Sequence, residues 1–168
     1  MSHIGFLKKL ENIIKTKSTV VPKVVYIDMD DVLCDFSGAY KRAVQANPGI
    51  RFPQSQYGFF QKLEPIEGAI DALSELNDSC HYLPYILTAP STLNPLSYTE
   101  KRVWVEEKLG YGFVDRLIIC SNKALLRGDI LIDDNEKGKG QERFEGRLIH
   151  FGTPMFPNWV SIRNELQF

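Results

Sequence analysis

The stretch Val24-Val25-Tyr26-Ile27-Asp28-Met29-Asp30-Asp31-Val32-Leu33-Cys34-Asp35-Phe36 decides how the rest of the chain is read. Four apolar or β-branched residues run straight into carboxylates, with no alternation of polar and apolar positions. An uninterrupted apolar run predicts a strand buried on both faces, as in a parallel sheet covered by other elements. Strands of that kind deliver their functional groups at the carboxyl end, where the sheet opens into a crevice. Asp28 and Asp30 fall there, two residues apart. In continued strand geometry both side chains point the same way and repel each other. A divalent cation answers that repulsion, and Mg²⁺ takes carboxylate oxygens at about 2.1 Å while keeping waters that a phosphate can displace. Taken alone, Asp28, Asp30 and Asp31 also read as a solvated turn after a strand.

Outward from this stretch, the composition sets bounds. With 168 residues, 43% hydrophobic and 24% charged, the chain has the make-up of one globular domain with a sizeable core. A net charge of −1 without a basic block argues against a nucleic-acid polymer as partner, and against a membrane surface. No apolar run approaches the ~18 residues that span a bilayer. Cys34, Cys80 and Cys120 are odd in number and lack metal-ligand spacing. Their pattern predicts reduced thiols, buried at Cys34 and Cys120. Residues 4–14 carry Ile4, Phe6, Leu7, Leu10, Ile13 and Ile14 between Lys and Glu, which predicts an amphipathic helix with a packing or dimerisation role. That segment has neither a signal-peptide cleavage site nor the Arg of a mitochondrial presequence. The expected location is the cytoplasm.

Along the chain, strand and helix signals alternate. Asp35 is placed to cap a helix over residues 36–46, which Asn47-Pro48-Gly49 stops. Residues 50–64 are aromatic and irregular. A helix is expected from 67 to about 77, a strand from 82 ending at Thr88, and a helix from 95 or 97 to 109, closed by Gly110. Pro84 is awkward inside its strand. Further strands are expected at 116–120, 129–132 and 147–151, with a closing helix at 158–166. The alternation predicts a doubly wound α/β fold with a parallel sheet. Four strand ends then carry Asp28/Asp30, Thr88, Lys123 and Asp133/Asp134 along one edge. Each has a bland explanation by itself: helix cap, surface charge or turn. Their coincidence on one edge does not.

This order of motifs resembles the haloacid dehalogenase (HAD) phosphohydrolase superfamily. Its first motif corresponds to Asp28-Met29-Asp30-Asp31-Val32, and its second to Tyr85-Ile86-Leu87-Thr88. Lys123 stands for the third, and Ile130-Leu131-Ile132-Asp133-Asp134 for the fourth. Within the superfamily the likeness is to the 5′(3′)-deoxyribonucleotidases. It extends through Gly58-Phe59-Phe60-Gln61-Lys62-Leu63-Glu64-Pro65-Ile66-Glu67-Gly68-Ala69 and Glu100-Lys101-Arg102-Val103-Trp104-Val105-Glu106, over roughly residues 23–167.

The resemblance implies a HAD-like, Rossmann-like three-layer sandwich with a mostly parallel central sheet. It implies residues 1–22 as a helical extension and 23–168 as a single HAD-like domain, with a small, short helical cap inserted at about 36–65. It also implies Mg²⁺-dependent hydrolysis of a phosphomonoester, expected to be a nucleoside monophosphate, through an aspartyl-phosphate. In that scheme Asp28 is nucleophile and Asp30 is general acid and base. Lys123 neutralises developing charge, and Thr88 with the Ala89 loop binds phosphate. The metal is held by Asp28, the Asp30 carbonyl and the terminal pair, with Asp134 direct and Asp133 behind it. Phe36, eight residues past the nucleophile, matches the family's base-stacking aromatic, and Phe59 and Phe60 are candidates for the same pocket or for cap core. Four positions depart from the family pattern. Asp31 stands where Gly is usual, Ala89 where better-known members carry Ser, and Ser121-Asn122 where they carry Arg-Asp. The departures at Ala89 and Ser121-Asn122, with the short cap, keep a general phosphatase for sugar phosphates as the alternative. A catalytically silent binding module is disfavoured, because every charged motif position is filled.

Overall fold

Buried apolar runs at five places in the chain form the sheet seen in the computed structural model, which describes residues 21–168. Strands β1 (Lys23–Ile27), β2 (Tyr82–Thr88), β3 (Leu117–Ile119), β4 (Ile130–Asp133) and β5 (Arg147–His150) pair in the order β3-β2-β1-β4-β5, every pairing parallel. β1 is central: Tyr26 lies opposite Tyr85 of β2 on one side and Leu131 of β4 on the other. Pro84 is accommodated because β3 pairs with β2 only from Ile86 onward, which leaves β2 without a ladder on that side at residue 84. The expected helix over residues 4–15 lies outside the described residues.

Four helices accompany the strands: α1 (Phe36–Ala46), α2 (Ala69–Asp78), α3 (Ser97–Leu109) and α4 (Trp159–Leu166). Asp35 caps α1 by accepting the Gly38 N–H at 2.8 Å. A Cβ on residue 38 would sit 2.2 Å from an Asp35 carboxylate oxygen, so any other residue there would make the cap shift. α2 begins at Ala69 rather than 67 because Gly68 takes a left-handed conformation, φ 74°, that breaks the helical path. Asn158 and Ser161 cap α4 reciprocally.

Strand alternation splits the interior in two. Val25, Ile27, Ile86, Ile132 and Ile149 face one side with Leu73 and Leu76 of α2, Trp104 and Val105 of α3, and Trp159 and Ile162 of α4. Tyr26, Leu87 and Leu131 face the other side with Phe144, where Leu126 packs against them. That second layer consists of the crossovers around β4, which carry only short 3₁₀ turns at Lys123–Leu125 and Gln141–Arg143. The thin layer leaves the carboxyl edge of β1 and β4 close to solvent. No helix among the described residues is long and apolar enough to cross a membrane. Of the cysteines, Cys34 is buried, Cys120 half-buried and Cys80 exposed, all free.

Candidate active site

Immediately after β1 the chain makes a tight loop. The Leu33 and Cys34 amides both donate to the Met29 carbonyl, at 2.9 and 3.0 Å, and the Asp31 amide donates back to Cys34 at 2.8 Å. Met29, Val32, Leu33 and Cys34 are wholly buried, and the Trp159 indole N–H donates to Val32 O at 2.9 Å. With four side chains sunk in the core, the loop has no freedom left, and its acids are aimed outward. The Asp28 amide donates to Ile132 O at 2.9 Å, tying the end of β1 to β4.

Two buried lysines organise those acids. Lys123, 1% exposed, places Nζ 2.9 Å from Asp28 Oδ2 and also ion-pairs with Asp133. Burial opposes its charge, but the Asp28 and Asp133 carboxylates outweigh that and hold the ammonium pKa above its ordinary value. Lys101, wholly buried, donates to Asp30 Oδ2 and to Thr88 Oγ1, each at 2.7 Å. Its ammonium also lies 5.0 Å over the Phe60 ring. Burial raises the Asp30 pKa; Lys101 works against the shift and Asp28 adds to it.

The terminal acids differ sharply from each other. Asp133, fully buried, accepts from Lys123, from Gln141 Nε2 at 3.1 Å and from the Asn135 amide at 2.9 Å. Asp134 leaves its Oδ1 buried with no hydrogen-bond partner. Burial, then the charges of Asp28, Asp133 and Asp31, push its carboxyl up to about 7. One carboxylate oxygen from each of Asp28, Asp133 and Asp134 lies within 4.8 Å of the others. An orphaned acceptor beside converging carboxylates is a donor set suited to a hard divalent cation.

A cavity of about 330 Å³ opens over this edge, with Asp28, Asp30, Asp134 and Lys123 on its floor. Ala89, Phe36, Lys139 and the Asp31–Ser37 pair form its walls. Thr88 is wholly buried and is not part of the lining, although Ala89, the next residue, is. Phe59 and Phe60 are not part of it either. Phe60, 1% exposed, stacks on Phe36 with ring centroids 5.9 Å apart, and Phe59 meets Phe36 edge-on at 5.7 Å. They buttress the one aromatic that faces the cavity.

Motif reading does not find Lys101, Gln141, Glu100 or Lys139. Glu100 is buried and accepts the Gly58 and Phe60 amides at 2.8 and 3.0 Å, fixing the aromatic loop. In sequence, Glu100-Lys101-Arg102 looks like a solvated helix face. The only signal was its place inside the stretch that resembles the deoxyribonucleotidases.

A parallel sheet with acids at the ends of β1 and β4, and a lysine just beyond β3, defines a HAD-type hydrolase. The fold agrees with a magnesium-bound HAD hydrolase of Bacillus subtilis, at TM-score 0.58 and 13% identity over 88% of this chain and 99% of that one. The family model described as 5′ nucleotidase, deoxy (Pyrimidine), cytosolic type C protein matches residues 49–160. A Vibrio phage KVP40 protein named as a 5′(3′)-deoxyribonucleotidase is 40% identical over 171 residues, 92% of this chain and 94% of the relative. The human cytosolic-type 5′(3′)-deoxyribonucleotidase is 35% identical over 147 residues, 70% of this chain and 73% of the relative. The chain belongs to the 5′(3′)-deoxyribonucleotidase family of HAD phosphatases.

Proposed function

We propose that the protein hydrolyses nucleoside monophosphates, with Mg²⁺, through an aspartyl-phosphate on Asp28. The observation that carries this reading is Lys123, clamped between Asp28 and Asp133 beside the unpartnered oxygen of Asp134. Asp28, Asp134 and the Asp30 carbonyl would hold Mg²⁺, which supplies charge neutralisation for the dianionic phosphate. Asp133, already occupied by Lys123, Gln141 and Asn135, orients Lys123.

In the first step an Asp28 oxygen attacks phosphorus, and the bond from phosphorus to the sugar oxygen breaks. Asp30 gives that oxygen a proton. In the second, Asp30 takes a proton from water as the water attacks phosphorus. Orthophosphate leaves, and the Asp28 carboxylate is restored. General acid–base help of this kind is worth ~10²–10⁴ in rate. Lysine has only donors, so Thr88 Oγ1 accepts from Lys101 and steadies that ammonium against Asp30 from outside the cavity, while Ala89 lines it. Lys123 neutralises charge on Asp28 and the phosphoryl group as it develops. Phe36, propped by Phe60 and Phe59, offers the base a flat apolar face. A cytoplasmic setting is supported by the free cysteines and by the cytosolic-type human relative.

The test is phosphate release, with Mg²⁺ and then with EDTA, from a panel of deoxy- and ribonucleoside monophosphates and sugar phosphates. We expect nucleotides to be preferred, activity to vanish with EDTA, and Asp28→Asn to be folded and inactive. Equal rates on sugar phosphates would favour a generalist phosphatase, the reading that Ala89 and Ser121-Asn122 keep in view. Turnover retained in Asp28→Asn would remove the covalent mechanism.

A further inference from the structure

Asp31 carries a second feature of this site. Its backbone is left-handed, φ 56°, a region that L residues visit sparsely and Asp tolerates. Its carboxylate accepts the Ser37 amide at 2.8 Å and the Ser37 hydroxyl at 2.5 Å. Among the described residues no cation pairs with it, although it lines the cavity that holds Asp28, Asp30 and Lys123 and that would take the phosphate in the proposed reaction. Its charge is felt at Asp30 and Asp134, whose pKa values it helps to raise. An unpaired carboxylate held by a strained backbone next to an anion site works against phosphate binding, unless a neutral donor of the substrate reaches it.

The wall places that donor. Asp31 follows Asp30 in the chain, and Ser37 follows Phe36, so the bonded Asp31–Ser37 pair bridges the phosphate-facing acids and the aromatic face. In a nucleotide, the group between phosphate and base is the sugar. Each Asp31 oxygen keeps a lone pair free after its bond to Ser37, and the Ser37 oxygen can still accept. We propose that the Asp31–Ser37 pair reads the sugar: Asp31 takes a hydrogen bond from a free pentose hydroxyl, and its charge turns away a sugar bearing a second phosphate there. This rests on the nucleoside monophosphate reading above.

Three substrates and three variants test it. The substrates are a deoxynucleoside 5′-monophosphate, its 2′,3′-dideoxy analogue, and the 3′,5′-bisphosphate with products identified by chromatography. The variants are Asp31→Gly, which suits φ 56°, Asp31→Asn, which keeps an acceptor without charge, and Ser37→Ala. The wild type should favour the monophosphate over the dideoxy analogue by about tenfold in kcat/KM, as one charged hydrogen bond allows. Asp31→Gly should bring that ratio to within about twofold. Asp31→Asn should improve the bisphosphate relative to the monophosphate by about tenfold, for loss of like-charge repulsion. Ser37→Ala keeps the charge, and so should keep the discrimination against the bisphosphate. Sugar ratios identical in wild type and Asp31→Gly would overturn the proposal, as would a change confined to the Mg²⁺ concentration needed for activity. In either case phosphate would still be released, and the parent reading would stand. No release from any nucleotide would remove both. Should Asp31→Gly not fold, Asp31→Asn alone decides.

Discussion

Lys101→Met is the substitution that most directly tests how the site divides its work. Methionine matches the length of the lysine stem and fits a wholly buried slot, so the change removes the ammonium with little change in volume. Two 2.7 Å hydrogen bonds disappear, one to Asp30 and one to Thr88. Breaking a fully buried ion pair costs about 3–5 kcal/mol, but 28% of the Asp30 side chain is exposed and its charge is partly screened. The expected loss of stability is therefore about 1–2 kcal/mol, a fall in Tm of about 2–8 °C for a domain of this size.

The effect on turnover should be larger and selective. Without Lys101, Asp30 is no longer aimed at the leaving oxygen, and we expect kcat/KM for an alkyl nucleotide, which reports the steps up to the aspartyl-phosphate, to fall about 10²-fold, roughly 2.7 kcal/mol of transition-state stabilisation. An aryl phosphate such as p-nitrophenyl phosphate leaves without a proton, so its kcat/KM should fall by less than about threefold. The assay is steady-state phosphate release on both substrates, with Tm measured alongside. Equal losses on the two leaving groups would refute the reasoning, because they would show Lys101 acting on phosphate binding or on the fold and not through Asp30.

Further outcomes follow from the same contacts. The metal-free carboxyl of Asp134 titrates at about 7, far above an unfolded carboxylate near ~3.9, so its stabilising contribution is present below about pH 4 and lost as pH rises to 7. Metal-free Tm should accordingly fall across that window, and Mg²⁺ affinity by calorimetry should rise about tenfold per pH unit up to 7 and then level; affinity constant from pH 5 to 8 would contradict this. Glu100→Ala strands the Gly58 and Phe60 amides and should cost about 2–4 kcal/mol in urea unfolding, with Glu100→Gln recovering part of the loss. Phe36→Ala should raise KM for a nucleotide about tenfold and leave KM for glycerol phosphate unmoved; a parallel rise in both would place the base elsewhere.

The sheet was legible because each strand is a continuous apolar run ending in a polar residue, and parallel register then needs only the crossovers between them. Asp28, Lys123 and Asp133/Asp134 stood out for the same reason, being polar groups at the ends of buried strands. Lys101 gave no such signal. It lies between Glu100 and Arg102 on a helix, and its burial comes from Phe60 and Thr88, which are distant in sequence. Phe59 and Phe60 show the converse limit. Aromatic density marks a packed cluster but not which ring faces the cavity; that depends on Glu100 holding the Gly58 and Phe60 amides. A covering layer on the second face was expected, but its make-up was not legible, because 3₁₀ turns at 123–125 and 141–143 lack helical periodicity.

Charge counting joins these pieces. Asp28, Asp30, Asp31, Asp133 and Asp134 crowd one sheet edge, and among the described residues Lys101 and Lys123 are the buried cations that answer them. In the proposed reaction a phosphate dianion would deepen the imbalance, and a divalent cation held by Asp28 and Asp134 would offset it. The two ammoniums are not interchangeable in that balance. Lys123 touches Asp28 and Asp133 and none of the Asp30 side, while Lys101 touches Asp30 and Thr88 and neither Asp28 nor Asp133. In the proposed mechanism this partition would let attack at phosphorus and proton transfer by Asp30 be governed separately. Removing Lys123 should then damage turnover of every phosphomonoester, whereas removing Lys101 should slow formation of the aspartyl-phosphate in proportion to how badly the departing oxygen needs its proton.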